Sequence, residues 1–348
     1  MTDWKSILRN DTLDWLLEEN EPAVRAATLT DLLDVALDDP KVIEAQKREF
    51  LEGPSAAILS KMQPEGYWGR PEDFYIRSKY HGTVWSFLLL VEMNCGRFDF
   101  RMQEAANFLL EHSQNPDSGG FAYYSASQGG GIQHGVIPCL SGNLVWGLIK
   151  TGLLSDKRIH QGADWLARNQ FLQDGEDNIE DGNLHIRPGK NLFENCWGKH
   201  TCMMGVVKSL KALTEFPVDM RTDTMNQAVK DGAEFLLKHH LIYQSHDLEK
   251  IAKPDYLLFN FPLLWRTDAL EMLEILLKLG YQDERMQPAL DLVLAKQNPQ
   301  GNWILEQSFN GRTLVRIDKV GKPSKRVTLR ALRVLKMASE NGLLSGKN

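Results

Sequence analysis

The sequence predicts an all-helical domain of repeated helix pairs. Two observations carry this: a helix-turn-helix phrase that returns along the chain, and a Gly-aromatic step that returns in the loops. The phrase is an apolar helix ending near Gly, a short polar turn, and a second helix with Ala and an aromatic-Leu pair, ending near Gln. Copies run Val84 to Gln114, Leu144 to Gln170, Val206 to His239 and Ala269 to Gln297, and Val327 to Gly342 reads as a closing half. Their markers Phe108, Trp165, Phe235 and Val293 are 57, 70 and 58 residues apart, enough for two helices and a loop, with an insertion in the longer interval.

The loop phrase is a Gln followed by a Gly-aromatic step: Gln63 to Gly66-Tyr67-Trp68, Gln114 to Gly120-Phe121, and Gln297 to Gly301-Asn302-Trp303. Gly permits the tight turn, and the aromatic is expected to plug the gap between successive pairs. Residues 1–62 read as an N-terminal helical cap, with Pro22 and Pro40 at helix starts and Asp39 as an N-cap. Residues 171–195 read as an inserted acidic, Gly-rich loop; Glu176 and Ile179 break the spacing of a calcium-binding EF-hand.

Composition bounds the function. The 348 residues are 43% hydrophobic and 25% charged, and the net charge of -6 argues against a nucleic-acid partner, which needs a concentrated basic surface. No signal peptide and no run of about 18 apolar residues is legible, so a cytoplasmic protein without a membrane span is expected. Four cysteines are too few to staple a chain of this length, and reduced thiols are expected.

The Gly-aromatic loop followed by an apolar helix resembles the prenyltransferase and squalene-cyclase repeat over about residues 60–340. That resemblance implies an α/α toroid: an inner ring of parallel helices within an outer ring, and a substrate cavity opening where the inner helices begin. It implies a hydrophobic or isoprenoid-like substrate. The chain departs from the family in lacking the Asp-x-Asp-Asp of class II cyclases and the Asp-Asp-x-x-Asp of diphosphate-binding synthases.

Inner helices are expected to start near Thr83, Cys139, Cys202, Asp268 and Thr328. That register puts Cys139 and Cys202 within about one residue of a common level, with Cys196 and His200 in the loop ahead. Three thiols and an imidazole suit zinc, and His134 is a substitute ligand. Buried packing is the alternative for these thiols, and a nucleophilic thiol with His134 or His200 as base is a third. Other polar groups at this rim are Tyr80, His81, Arg266 and Asp268, with Lys325, Arg326 and Arg330 as a cationic corner. It reads either as a seat for a diphosphate or other anionic ligand or as a solvated basic face. Trp85, Trp146, Trp197 and Trp265 recur near the same starts and read either as cavity lining or as inter-helix packing.

Three functions follow. One is a metal- or thiol-dependent enzyme on a hydrophobic substrate, with His134 and Asp268 as catalytic candidates. A second is a non-catalytic module holding a ligand or partner. The third is a carbohydrate-active α/α barrel with Asp73 or Asp268 as acid/base, for which no recognisable carboxylate pair is present.

Overall fold

The computed structural model describes residues 4–95, 99–170, 172, 174 and 201–344. Among them the protein is all-α, about 52% helical, with thirteen α-helices and two short strands. The N-terminal segment holds α1 (Leu13–Leu16), α2 (Pro22–Ala27), α3 (Pro40–Leu51) and α4 (Gly53–Leu59). Pro22 and Pro40 each occupy a first helical turn, where a missing N–H costs nothing, and the Asp39 carboxylate accepts from Lys41 N at 2.8 Å. The expected pairs follow: α5 (Thr83–Glu92) with α6 (Phe100–His112), α7 (Pro138–Lys150) with α8 (Lys157–Arg168), and α9 (Met203–Leu213) with α10 (Asp223–Lys238). A hairpin, β1 (Tyr243–Gln244) and β2 (Asp247–Ile251), precedes α11 (Ala269–Lys278), α12 (Gln287–Ala295) and the unpaired α13 (Lys325–Glu340).

The first helix of each pair is buried along most of its length. Residues 83–91 of α5 and 140–149 of α7 are buried without interruption, which suits the apolar runs VWSFLLLV and LVWGLI. The second helices are amphipathic, as α8 shows with buried Ile159, Ala163, Trp165 and Leu166. The described residues form two compact units. One is drawn from Met1–Lys61, Leu89–Asp99 and Leu237–Asn348, the other from Met62–Leu88 and Phe100–Leu236.

In the second unit α7 and α9 run in the same direction at close range. A Cβ on Gly142 would lie 2.4 Å from the Lys208 backbone, and one on Gly205 would lie 3.3 Å from the Pro138 ring. Position 138 thus faces 205 and position 142 faces 208, a register only parallel helices give. Both N-termini therefore lie at one end.

The recurring loop has a mechanical explanation. Trp68 N donates to Thr83 Oγ1 at 3.1 Å, Phe121 N to Ser141 Oγ at 2.8 Å, and Trp303 N to Thr328 Oγ1 at 3.0 Å. Each aromatic is buried, so it plugs the core while its backbone is clamped to a hydroxyl in the first turn of α5, α7 or α13. The glycine ahead takes positive φ and presses on another segment's backbone: Gly66 on Glu104, Gly119 on Gln161, Gly301 on Asn10. The glutamine holds the same neighbour. Gln114 Nε2 donates to Arg158 O at 2.6 Å, while Gln297 Oε1 accepts from Arg9 N at 2.9 Å. Residues 9 and 10 thus stand at the last loop where α8 stands at an earlier one.

Candidate ligand site at the inner helix starts

The five expected starts fall at or within three residues of the observed ones. Thr83 opens α5, Cys139 is the second residue of α7, Cys202 and Asp268 are the N-caps of α9 and α11, and Thr328 is in the first turn of α13.

In the first unit, Asp268 is wholly buried and saturated with donors. Its Oδ1 accepts from Glu271 N at 3.0 Å and its Oδ2 from Asn260 N at 3.0 Å. Arg330 adds Nη2 to Oδ1 at 2.7 Å and Nη1 to Oδ2 at 3.0 Å, and Nη1 also donates to Asn260 O at 2.7 Å. Burial would push the Arg330 guanidinium down, but Asp268, with Glu271 and Glu274, outweighs it and keeps the charge. Asp268 here caps a helix and neutralises an arginine.

The cationic corner is therefore neither a solvated face nor an open rim. Arg326 is 4% exposed, with Nη2 on Glu21 at 2.7 Å and Nη1 on Asp318 at 3.1 Å. Lys325 Nζ meets Glu18 at 2.7 Å, Arg333 meets Asp31, and Lys336 Nζ meets Asp34 at 2.6 Å. Acidic residues 18–34 thus neutralise α13 along its length, a contact across some 300 residues that no local pattern announces. The role as anion-binding rim groups expected for Arg326 and Arg330 does not match this burial; both are spent on protein carboxylates.

Arg266 is different. Half-buried just before α11, its guanidinium lies 4.8 Å from the Phe309 ring centre and 5.6 Å from that of Trp265. Nη1 donates to Gln307 Oε1 at 2.6 Å, and Gln307 Nε2 reaches Asp255 at 3.3 Å. Its Nε is buried without a hydrogen-bond partner among the described residues, as are Thr267 Oγ1 and Asn260 Oδ1. Sequence reasoning missed Gln307 and Phe309, which come from a loop 41 and 43 residues further on that shows no periodicity.

In the second unit, Trp85 is buried, stacked on Tyr75 at 4.7 Å, with Nε1 donating to Tyr75 O at 2.7 Å. Tyr80, buried at φ +73°, leans on the same indole at 5.2 Å, and His81 is exposed. Trp146 carries Lys211 Nζ 3.6 Å from its ring centre. One face of each of Trp85, Trp146 and Trp265 is thus already occupied by a protein group. Trp197 lies outside the described residues.

Cys139 and Cys202 are half-buried cysteines at the same end of the parallel α7 and α9. The register aligns Cys139 with about Val206, so Cys202 sits one turn earlier, about 6 Å along the axis. That corrects the expected common level, because the third helix ends at Leu213-Thr214-Glu215 without the Gly that closes the other copies, so the sequence does not fix its register. Cys196 and His200 lie outside the described residues. Among the described residues no group of three or more His, Cys, Asp or Glu is placed to hold a metal ion. His134 is exposed in a short 3-10 turn, Gln133–Gly135. Cys95 is buried, and burial with nearby Glu49 pushes its thiol up, as suits inert packing. The inserted loop lies outside the described residues but for 172 and 174, and no described helix is long and apolar enough to cross a membrane.

No family model and no curated sequence matches the chain. Among solved structures, it is similar to a variant of the type II terpene cyclase MstE from Scytonema in complex with geranylgeranyl dihydroxybenzoate. The identity is 15% and the TM-score 0.43, over 94% of this chain and 88% of that one. The same cyclase in its apo form gives 12% identity and a TM-score of 0.28, over 87% and 98%.

Proposed function

We propose that this chain binds and transforms an apolar, isoprenoid-like substrate, as the repeat cyclases and prenyltransferases it resembles do. The observation that carries the reading is the clamp repeated at Trp68–Thr83, Phe121–Ser141 and Trp303–Thr328. It turns the Gly-aromatic phrase behind the resemblance into one physical device, which fixes where the inner helices begin. The chemistry must differ from that of the diphosphate synthases and class II cyclases, since their aspartate motifs are absent and Asp268 is consumed by Arg330.

That same engagement of Asp268 favours a second reading, a carrier that holds an isoprenoid without transforming it. One experiment separates the two. The protein is incubated with geranylgeraniol and geranylgeranyl diphosphate, binding is followed by tryptophan fluorescence, and products are sought by mass spectrometry. Saturable binding with new products supports the enzyme, saturable binding alone the carrier, and no binding removes both.

A further inference from the structure

We infer that Arg266 anchors an oxyanion, a carboxylate or phosphoryl group, on this protein's ligand. The inference deepens the proposed function and rests on it only for the ligand's apolar part. Its basis is a contrast within one unit. Lys325, Arg326, Arg330, Arg333 and Lys336 each meet a carboxylate, whereas Arg266 meets none among the described residues. A guanidinium drawn partly out of water costs free energy that a counter-charge must offset, and here the protein supplies only the neutral amide of Gln307.

The arrangement leaves the right atoms for an anion. Gln307 holds Nη1, while Nε, part of the fork that meets carboxylates and phosphates side-on, is buried and unpartnered. Phe309 and Trp265, with ring centres 4.8 and 5.6 Å from the guanidinium, shield it in part from water, which strengthens an ionic hydrogen bond. The next residue, Thr267, has a buried hydroxyl without a partner, and Asn260 has an unpartnered buried oxygen that accepts only. Asp255 is tied to the far end of the Gln307 amide, and the Asp268 charge is neutralised by Arg330, so neither is Arg266's counter-ion.

Isothermal titration tests this with inorganic phosphate, benzoate, geranylgeraniol and geranylgeranyl diphosphate, on wild type, Arg266→Gln, Arg266→Lys and the exposed control Arg312→Gln. Circular dichroism checks that each variant is folded. The expected result is that wild type and Arg312→Gln bind the diphosphate at least about tenfold more tightly than the alcohol. Arg266→Gln abolishes that difference, and Arg266→Lys, which keeps the charge but not the fork, retains part of it. Binding of phosphate or benzoate in an Arg266-dependent way, with no affinity for either isoprenoid, upholds the anion site and removes the isoprenoid reading. Equal affinity for alcohol and diphosphate with no binding of the small anions overturns the inference, and so does anion binding unchanged in Arg266→Gln.

Discussion

Asp268, the N-cap of α11, and Arg330, one and a half turns into α13, are joined by two hydrogen bonds of 2.7 and 3.0 Å with both side chains buried. Breaking such a pair by removing one partner leaves an uncompensated charge in the core, at a cost of about 3–5 kcal/mol. Arg330→Met is expected to lose that much in urea unfolding, and Arg330→Met with Asp268→Asn to recover part, because the carboxylate no longer needs a counter-ion. A loss below about 1 kcal/mol for Arg330→Met would mean that the pair is not buried as described. Reversing Arg326 and Arg330 to Glu is accordingly expected to unfold the protein rather than merely to spoil ligand binding.

The loop clamp makes a prediction that separates backbone strain from crowding. Gly280 and Gly301 both take positive φ, +80° and +84°, but a Cβ on Gly280 meets nothing within 4 Å, whereas one on Gly301 would lie 2.3 Å from Asn10 O. Gly280→Ala is expected to cost about 1 kcal/mol from conformation alone. Gly301→Ala must also push residues 9 and 10 away from the last loop, and is expected to cost at least about 2 kcal/mol more. Thermal melts of the two variants check this, and equal losses would mean that the Gly301 contact is dispensable.

Glu49 gives a pH dependence with a definite sign. Its carboxylate is buried, accepts from Ala23 N at 3.1 Å and from Ser55 Oγ, and lies 3.8 Å from the Cys95 sulfur. Burial raises its pKa above the ordinary 4.5, so the folded state holds the proton more tightly than the unfolded chain. Its stabilising contribution is full below about pH 4.5 and is lost as pH rises through the folded value. Relative to wild type, Glu49→Gln is expected to gain stability as pH rises from 4 to 8, read from urea midpoints across that range. A wild-type minus variant difference that does not change with pH contradicts it.

Period and punctuation made the helices legible: the apolar phrase repeats, Pro22 and Pro40 mark starts, and the Gly-aromatic step marks loops. The inner helix starts were legible for the same reason, to within three residues. What sits around them was not. Arg326, Arg330 and Lys325 look like a basic face because their partners, Glu21, Asp318, Asp268 and Glu18, include residues some 300 positions away. Arg266 was legible as a cation but not as one that meets no carboxylate among the described residues, since that depends on Gln307 and Phe309 in a loop without periodicity.

The thiols offer the last test. Cys139 and Cys202 are half-buried at the shared end of α7 and α9, one turn apart, and Cys95 is buried beside Glu49 with its thiol pushed up. Thiolate is the reacting species, so access and charge both predict slow labelling of Cys95 and faster labelling of the other two. Mass spectrometry after timed exposure to a maleimide is expected to show Cys139 and Cys202 modified in the folded protein and Cys95 only after denaturation. The sequence also expects zinc on Cys139 and Cys202 with Cys196 and His200, and zinc would block the same sulfurs, since a bound thiolate is no longer a free nucleophile. Protein purified without added metal is therefore measured for zinc and labelled before and after a chelator. Stoichiometric zinc, with chelator-dependent labelling of Cys139 and Cys202 that Cys202→Ala abolishes at Cys139, supports the site. Metal-free protein whose two thiols label at one rate with and without chelator leaves them as partly exposed packing residues.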